Sequence, residues 1–297
     1  MTSTSEIDCK IAEYTSNEAL IKEYQGHLHE VDMAEGRSAV FSHFSQHAKI
    51  FVFGKPTDWR EDSNLSKLVS LLVSEGIKKV FVPDCSKFTA ELCSPSDFQK
   101  ELDVGGIKFF HGVETEGLMI PQKSAVIFRT ADCPTIVLHD MENDLLLAAH
   151  AGLGSIIDVN GINVGMSLRS YESVVDDIVR CTPVSPHYEI FVLAGISSTN
   201  FIYDEKNEKY GEKNKKILSY SIEKYGLNAV PRGRAKGNIS LLGIIKCQFE
   251  RYGFDPQKIV PDGLDTFSDS RLWSHHEASK YMMNSVDGRN CVLVIHK

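Results

Sequence analysis

The chain has no two cysteines at CxxC spacing, no surplus of basic residues, no long uncharged apolar run and no Pro/Gly/Ser-rich linker. Each absence removes a class of protein. The seven cysteines, at 9, 85, 93, 133, 181, 247 and 291, are odd in number and widely scattered. That pattern excludes a zinc knuckle or a paired-thiol redox motif and reads as the reduced thiols of a cytoplasmic protein. Lys and Arg total 32 against 40 Asp and Glu, a formal charge of -8 that repels a phosphate backbone, so no nucleic acid partner is expected. One short basic cluster, PRGRAKG at 231–237, reads as a solvated connector ahead of an apolar helix, with an anion contact as the alternative. No uncharged apolar stretch approaches the ~18 residues of a membrane span, and the opening MTSTSEIDCK lacks the charged-then-apolar order of a secretion signal. No membrane partner is expected either.

What is present is the composition of an ordinary globular protein: 297 residues, 42% apolar and 24% charged, enough to bury a substantial core. Residues 1–45 are polar and read as a peripheral arm, with helical spacing across SNEALIKEYQGHLHEV. Beyond it, strands are predicted at 49–54, 78–83, 124–130, 134–140, 144–151, 188–196 and 290–297. Helices are predicted at 64–77, 167–181, 212–226 and 238–253, the last two halted by glycine. Runs such as TIVL and LLLAA lack polar alternation, so both faces of those strands must be covered. The pattern predicts one α/β (α+β) domain over 1–297, a mixed β-sheet layered with helices.

The informative stretch is RTADCPTIVLHDMENDLLLAAHAG. The acidic spacer DMEND (140–144) favours a turn, and strands joined so tightly pair antiparallel. With the turn centred near Glu142, residues whose numbers sum to about 283 or 284 face each other, which makes Cys133 and His150 direct cross-strand neighbours. A histidine beside a thiol takes its proton and leaves a nucleophile or a soft-metal ligand. Pro134 marks the strand's beginning, and Ala151 and Gly152 leave room for a substrate. The competing reading is structural: cysteine is often buried as a small hydrophobe, and a lone histidine at a strand end is often a satisfied core residue.

TADCPTIVLHD followed by LLLAAHAG resembles segments of the laccase-domain, or polyphenol oxidase, YfiH-like family, whose fold is shared with the cytotoxic necrotizing factor type of cysteine deamidase. Fainter echoes are LAGIS at 193–197, NISLL at 238–242, DTFSDSRLWS at 265–274 and GRNCVLVI at 288–295. The resemblance implies a mixed-sheet α/β fold, a His, Cys, His metal site assigned to zinc, and phosphorolysis or deamination of purine nucleosides, with amidase activity in some members. Cys133 and His150 match the family's cysteine and second histidine. The family's first histidine aligns with VPDC at 82–85, which places Asp84 there, while His111 in FHGVET offers an imidazole from another place. AAHAGWRG of the family reads AAHAGLGS, so an aromatic and an arginine become Leu153 and Gly154. SYRR reads SHHE, with His275, His276 and Glu277 replacing arginines suited to clamping phosphate.

Three readings follow. The first is a Cys/His hydrolase or acyl-transfer enzyme, amidase- or deamidase-like, acting on a small nitrogen-containing molecule. In it Cys133 is the nucleophile, His150 the general base, and Asp132 or His111 orients the imidazole; backbone amides beside Cys133 or in the 151–155 loop stabilise the oxyanion. The second is a zinc enzyme of purine nucleosides, with Cys133, His150 and either Asp84 or His111 as ligands. The third is a catalytically silent binding protein on the same scaffold. His275 and His276, read as strand neighbours, point to opposite faces and do not form a joint site. The sequence does not give the oligomeric state.

Overall fold

A computed structural model describes residues 32–33, 37–45, 47–167, 169–182, 186–281 and 287–297. The helix predicted at 16–31, most of the arm and Cys9 lie outside them. Among the described residues, the two-residue strands β1 (Asp32–Met33) and β2 (Arg37–Ser38) pair with each other, and the remaining strands form two sheets.

The first sheet has seven strands in the spatial order β3 (Phe41–Phe44), β4 (Ala48–Phe53), β15 (Asn290–His296), β10 (Ser124–Thr130), β5 (Lys79–Phe81), β8 (Ile107–His111) and β7 (Lys100–Val104). β10 runs parallel to β5 and β5 to β8, and the other neighbours are antiparallel. The second has six, in the order β14 (Ile259–Pro261), β13 (Tyr188–Leu193), β11 (Thr135–Asp140), β12 (Leu145–His150), β9 (Gly117–Ile120) and β6 (Leu92–Cys93). Both sheets are therefore mixed.

Alternate residues of the same strand enter different cores, which is why the strands read as unbroken apolar runs. Val126 and Phe128 of β10, Val292 and Val294 of β15, and Val137 of β11 share one cluster with Leu146, Ala148, Phe191 and Leu193. This cluster lies between the sheets. Ala125, Ile127, Leu293 and Ile295 face the other way, onto Leu65, Leu68 and Leu72. Ile136, Leu138 and Leu147 pack on Val174, Ile178, Ile217, Ile244 and Phe249 from the helices Val174–Cys181, Gly211–Tyr225 and Leu241–Arg251. The order of layers is helix, sheet, sheet, helix. Both faces of the central strands are covered as expected: each sheet carries helices on one face, and the other sheet covers the second.

Local signals account for most boundaries. Gly226 (φ 63) follows the helix Gly211–Tyr225, and Gly253 (φ 83) stands two residues beyond Arg251, both in the left-handed region that a side chain disfavours. The helix predicted at 167–181 spans only Val174–Cys181, because Ser173 and Asp176 form a reciprocal capping box that sets its start. Residues 64–77 divide into a 3₁₀ segment, Asp62–Leu68, and a short α-helix, Val69–Ser74. Among the described residues, no helix is long and apolar enough to cross a membrane.

Candidate active site

The β11–β12 hairpin forms as expected, with a shifted register. Asp140 pairs with Leu145 and Thr135 with His150. Asp140 stays within the strand, and its Oδ1 accepts from the backbone N–H of Glu142 (3.0 Å) and Asn143 (3.3 Å). That cap holds four residues, 141–144, in the turn and moves its centre beyond Glu142. Thr135, not Cys133, is the direct partner of His150. Cys133 lies two residues earlier, just outside the strand, where Pro134 ends the ladder and its carbonyl accepts from Ala151 N–H at 2.8 Å.

The thiol and the imidazole still meet. The Cys133 thiol lies beside the His150 ring and raises its proton affinity. A Cβ added at Gly152 would stand 2.8 Å from Cys133 Sγ and 3.0 Å from His150 Cε1. Gly152 therefore leaves room for the pair itself rather than for a substrate. In the same way the space at Gly154 belongs to Phe88, whose Cγ would be 2.8 Å from an added Cβ. Phe88, held at φ 52, stacks on the His150 ring at a centroid distance of 6.1 Å.

The other ring nitrogen is engaged by a residue outside the sequence-derived site. His150 Nδ1 lies 2.7 Å from Oε2 of Glu116, a side chain with no exposure. Oε2 also accepts from Ser155 Oγ (2.8 Å), and Oε1 accepts from Thr89 N–H (2.8 Å). Glu116 precedes β9, whose register pairs Gly117 with Ala149, so Glu116 stands opposite His150, and His150 N–H donates to its carbonyl at 2.7 Å. A carboxylate accepts only, so Nδ1 carries the proton and Nε2 is left for Cys133. Burial by itself pushes the imidazole's pKa down; Cys133 and Glu116 outweigh it and hold it up, to about 10.

Neither residue expected to orient His150 does so. Asp132, buried and at φ 76, accepts from Thr266 Oγ1 (2.7 Å) and from the backbone N–H and Nδ1 of His276 (2.7 and 2.9 Å). Burial would raise its carboxyl's pKa, but the bonds from His276, Ser274 and Thr266 hold it below the ordinary value. His111 ends β8 in the other sheet, and its charged neighbours are Asp62, Arg129 and Lys100; burial pushes its imidazole's pKa down. His275 and His276 open a helix, His275–Tyr281, rather than lying on a strand, and they turn to different carboxylates, Asp287 and Asp132. Of the amides considered for an oxyanion, Ala151 N–H is spent on Pro134 and Ser155 N–H on Gly152.

A second thiol comes from the VPDC segment. Asp84 is exposed, in an isolated bridge to Glu114, and its Oδ1 accepts from Ser86 N–H at 3.0 Å. Cys85, its neighbour, points inward instead, and burial followed by the nearby Glu116, Asp84, Cys133 and Cys93 pushes its thiol's pKa up. Cys85, Glu116 and His150 each offer a ligand atom within 4.8 Å of the other two. Neither Asp84 nor His111 belongs to this group. Arg169 also adjoins the site, and its terminal guanidinium nitrogens donate to the carbonyls of Gly154, Glu172 and Phe88, while its buried Nε has no partner among the described residues.

No family model matches the chain, and no curated protein matches its sequence. Solved structures do match in fold. A Bacillus licheniformis hypothetical protein, YfiH, aligns with a TM-score of 0.59 at 15% identity, covering 84% of this chain and 93% of its own. A Neisseria meningitidis protein of family DUF152 gives 0.56 at 13% identity, with 86% and 98% covered. YlmD from Geobacillus stearothermophilus gives 0.56 at 12% identity, with 87% and 99% covered.

Proposed function

We propose, for a chain that carries the YfiH-like α/β fold, that it is a Cys133-centred enzyme of acyl transfer or hydrolysis, acting at an amide, ester or amidine-like carbon of a small nitrogen-containing molecule. The observation that carries this reading is the imidazole of His150, bound through Nδ1 to buried Glu116 at 2.7 Å, with the Cys133 thiol beside the same ring. Nucleophile, base and orienting carboxylate in that sequence are the working parts of covalent acyl chemistry.

The steps follow from the geometry. Cys133 gives its proton to His150, whose affinity for it is held up by Glu116, and the sulfur attacks the substrate carbon. The resulting imidazolium then protonates the departing nitrogen or oxygen, which leaves an acyl group on Cys133. Ser155 and Thr89 fix the Glu116 carboxylate, and Phe88 fixes the ring plane. Cys133 is partly exposed, so the sulfur is reachable.

A second reading has its own observation. Zinc accepts thiolate, imidazole and carboxylate, and the grouping of Cys85, Glu116 and His150 within 4.8 Å fits that ion, with those three as the residues that would hold it. Cys133 lies outside that grouping. Bound there, zinc would supply Lewis acidity for the purine-nucleoside chemistry attributed to the family.

Metal analysis of freshly purified protein, combined with iodoacetamide labelling at neutral pH, tests the proposal. Metal-free protein in which Cys133 alkylates far faster than the other cysteines is the expected result. One equivalent of zinc, lost in Cys85→Ala, overturns it in favour of the metal enzyme. An ordinary alkylation rate without metal leaves a catalytically silent binding protein.

A further inference from the structure

Asp132 immediately precedes Cys133, so the two Cα atoms are about 3.8 Å apart. The Asp132 carboxylate holds a second imidazole, His276, through its Nδ1 at 2.9 Å and through its backbone N–H at 2.7 Å. A carboxylate only accepts, so Nδ1 of His276 donates to Asp132 and Nε2 is left on the far side of the ring. The two rings differ in access. His150 is 6% exposed and lies under Phe88, whereas the His276 side chain is 38% exposed. A row of aromatic rings leads away from His276 on the side of the thiol. Its ring meets Phe201 edge-on at 5.1 Å and Phe201 meets Tyr203 at 5.2 Å; burial, and after it the charge of Cys133, raises the pKa of the Tyr203 phenol.

We infer that His276, oriented by Asp132, is a second general base of the Cys133 site, one that activates the water or acceptor releasing the acyl group from the thiol. The inference rests on the Cys133 reading and divides its chemistry between two imidazoles. His150 serves the thiol and the leaving group during acylation and is only 6% exposed, whereas His276 opens to solvent. In the second half, His276 Nε2 takes a proton from water as the oxygen attacks the thioester carbon. The carbon–sulfur bond then breaks, the electron pair returns to Cys133, and the acid leaves. Proton transfer from His276 to bulk solvent or back to Cys133 closes the cycle, with no oxidant or reductant consumed.

p-Nitrophenyl acetate is a suitable probe, since the first equivalent of p-nitrophenolate reports acylation and the later steady rate reports deacylation. The expected wild-type trace is a burst, absent in Cys133→Ser, followed by turnover. In His276→Gln the burst persists while the steady rate falls by at least roughly tenfold, the low end of what a lost general base costs being nearer a hundredfold. Acetylated Cys133 then accumulates by intact mass, and Asp132→Asn behaves in the same direction. Hydroxylamine, which attacks without a base, restores release in His276→Gln; a merely structural role for His276 would not respond to it. A steady rate unchanged in His276→Gln, or a burst and steady rate that fall together without rescue, overturns the inference alone. A wild-type protein with no Cys133-dependent burst overturns the underlying reading as well.

Discussion

Replacing Glu116 by Gln changes one oxygen to an amide nitrogen at nearly constant shape, and the consequence is set by three donors. Thr89 N–H points at Oε1, while His150 Nδ1 and Ser155 Oγ both point at Oε2. If the amide oxygen stays on Thr89, its NH2 group faces His150 and forces the ring to carry its proton on Nε2, where it cannot accept from Cys133. If the amide flips, NH2 meets the Thr89 N–H, and a buried donor goes unpaired at a cost of about 1–3 kcal/mol. In either arrangement a charge-assisted bond of about 1.5–3 kcal/mol becomes a neutral one of about 0.5–1.5 kcal/mol. A combined loss of about 2–3 kcal/mol corresponds to roughly 30- to 150-fold, at about 1.4 kcal/mol per decade. The assay is the pseudo-first-order alkylation of Cys133 by iodoacetamide at neutral pH, resolved by peptide mass, with near-ultraviolet circular dichroism as the fold control. Alkylation of Glu116→Gln within about twofold of wild type would refute the claim that Glu116 governs the pair, since that corresponds to under about 0.5 kcal/mol.

Three further outcomes follow from the coordinates. Gly152→Ala places a methyl 2.8 Å from Cys133 Sγ and 3.0 Å from His150 Cε1; it should slow Cys133 alkylation at least about tenfold with far-ultraviolet circular dichroism unchanged, and an unaltered rate would contradict the close approach. His139 is 2% exposed, and burial, followed by His296 and His47, pushes its pKa down. The unfolded chain therefore takes up a proton near pH ~6.5 before the folded one does, so this contribution to stability is present above that pH and lost as pH falls through the folded value, at most about 1.4 kcal/mol per pH unit. Urea unfolding of His139→Gln should show a flatter slope between neutral and acidic pH than wild type; parallel slopes would rule this out. Phe249, with no exposure and edge-on to Phe254 at 5.4 Å, should cost about 3–5 kcal/mol when cut to Ala, measured by denaturant midpoint with unchanged m-value; a loss below about 1 kcal/mol would mean the helical layer is not tightly packed there.

The long central strands and the two glycine-stopped helices are legible because their signals are local. β10, β11, β12, β13 and β15 are apolar runs covered on both faces, and Gly226 and Gly253 supply the conformations their chain reversals need. The stretch from 92 to 120 is less legible. β7 and β8 are rich in charge and partly exposed, so they carry no clean apolar run. Their signal is instead the Gly105–Gly106 pair between Val104 and Ile107, where both glycines have positive φ, at 62 and 82, as a tight antiparallel turn demands. β9 is only four residues long, and without it Glu116 has no assigned neighbour. Its place opposite His150 depends on pairing between β9 and β12 that no local pattern specifies.

Which parts of the candidate site survive an error in register follows from the period of an extended chain. The β11–β12 pairing is displaced by two places relative to the expected Cys133–His150 pairing, and a displacement of two returns a side chain to the same face. Cys133 thus becomes a diagonal rather than a direct neighbour of His150, still within reach of the ring. At VPDC the displacement is a single residue, which exchanges the faces. Asp84, the position matched to a family histidine, turns to solvent with Ser86 N–H on its carboxylate, and Cys85 turns inward toward Glu116 and His150. A thiol therefore stands where an imidazole or carboxylate was expected, and the site has two sulfurs beside one buried, carboxylate-bound histidine. Both residues are part-exposed, and their surroundings separate them: desolvation of the sulfur, then Glu116 and Asp84, push the pKa of the Cys85 thiol well up, while Cys133 adjoins the imidazole whose proton affinity Cys133 and Glu116 raise against burial. In the proposed acyl-transfer chemistry Cys133 is therefore the thiol that attacks.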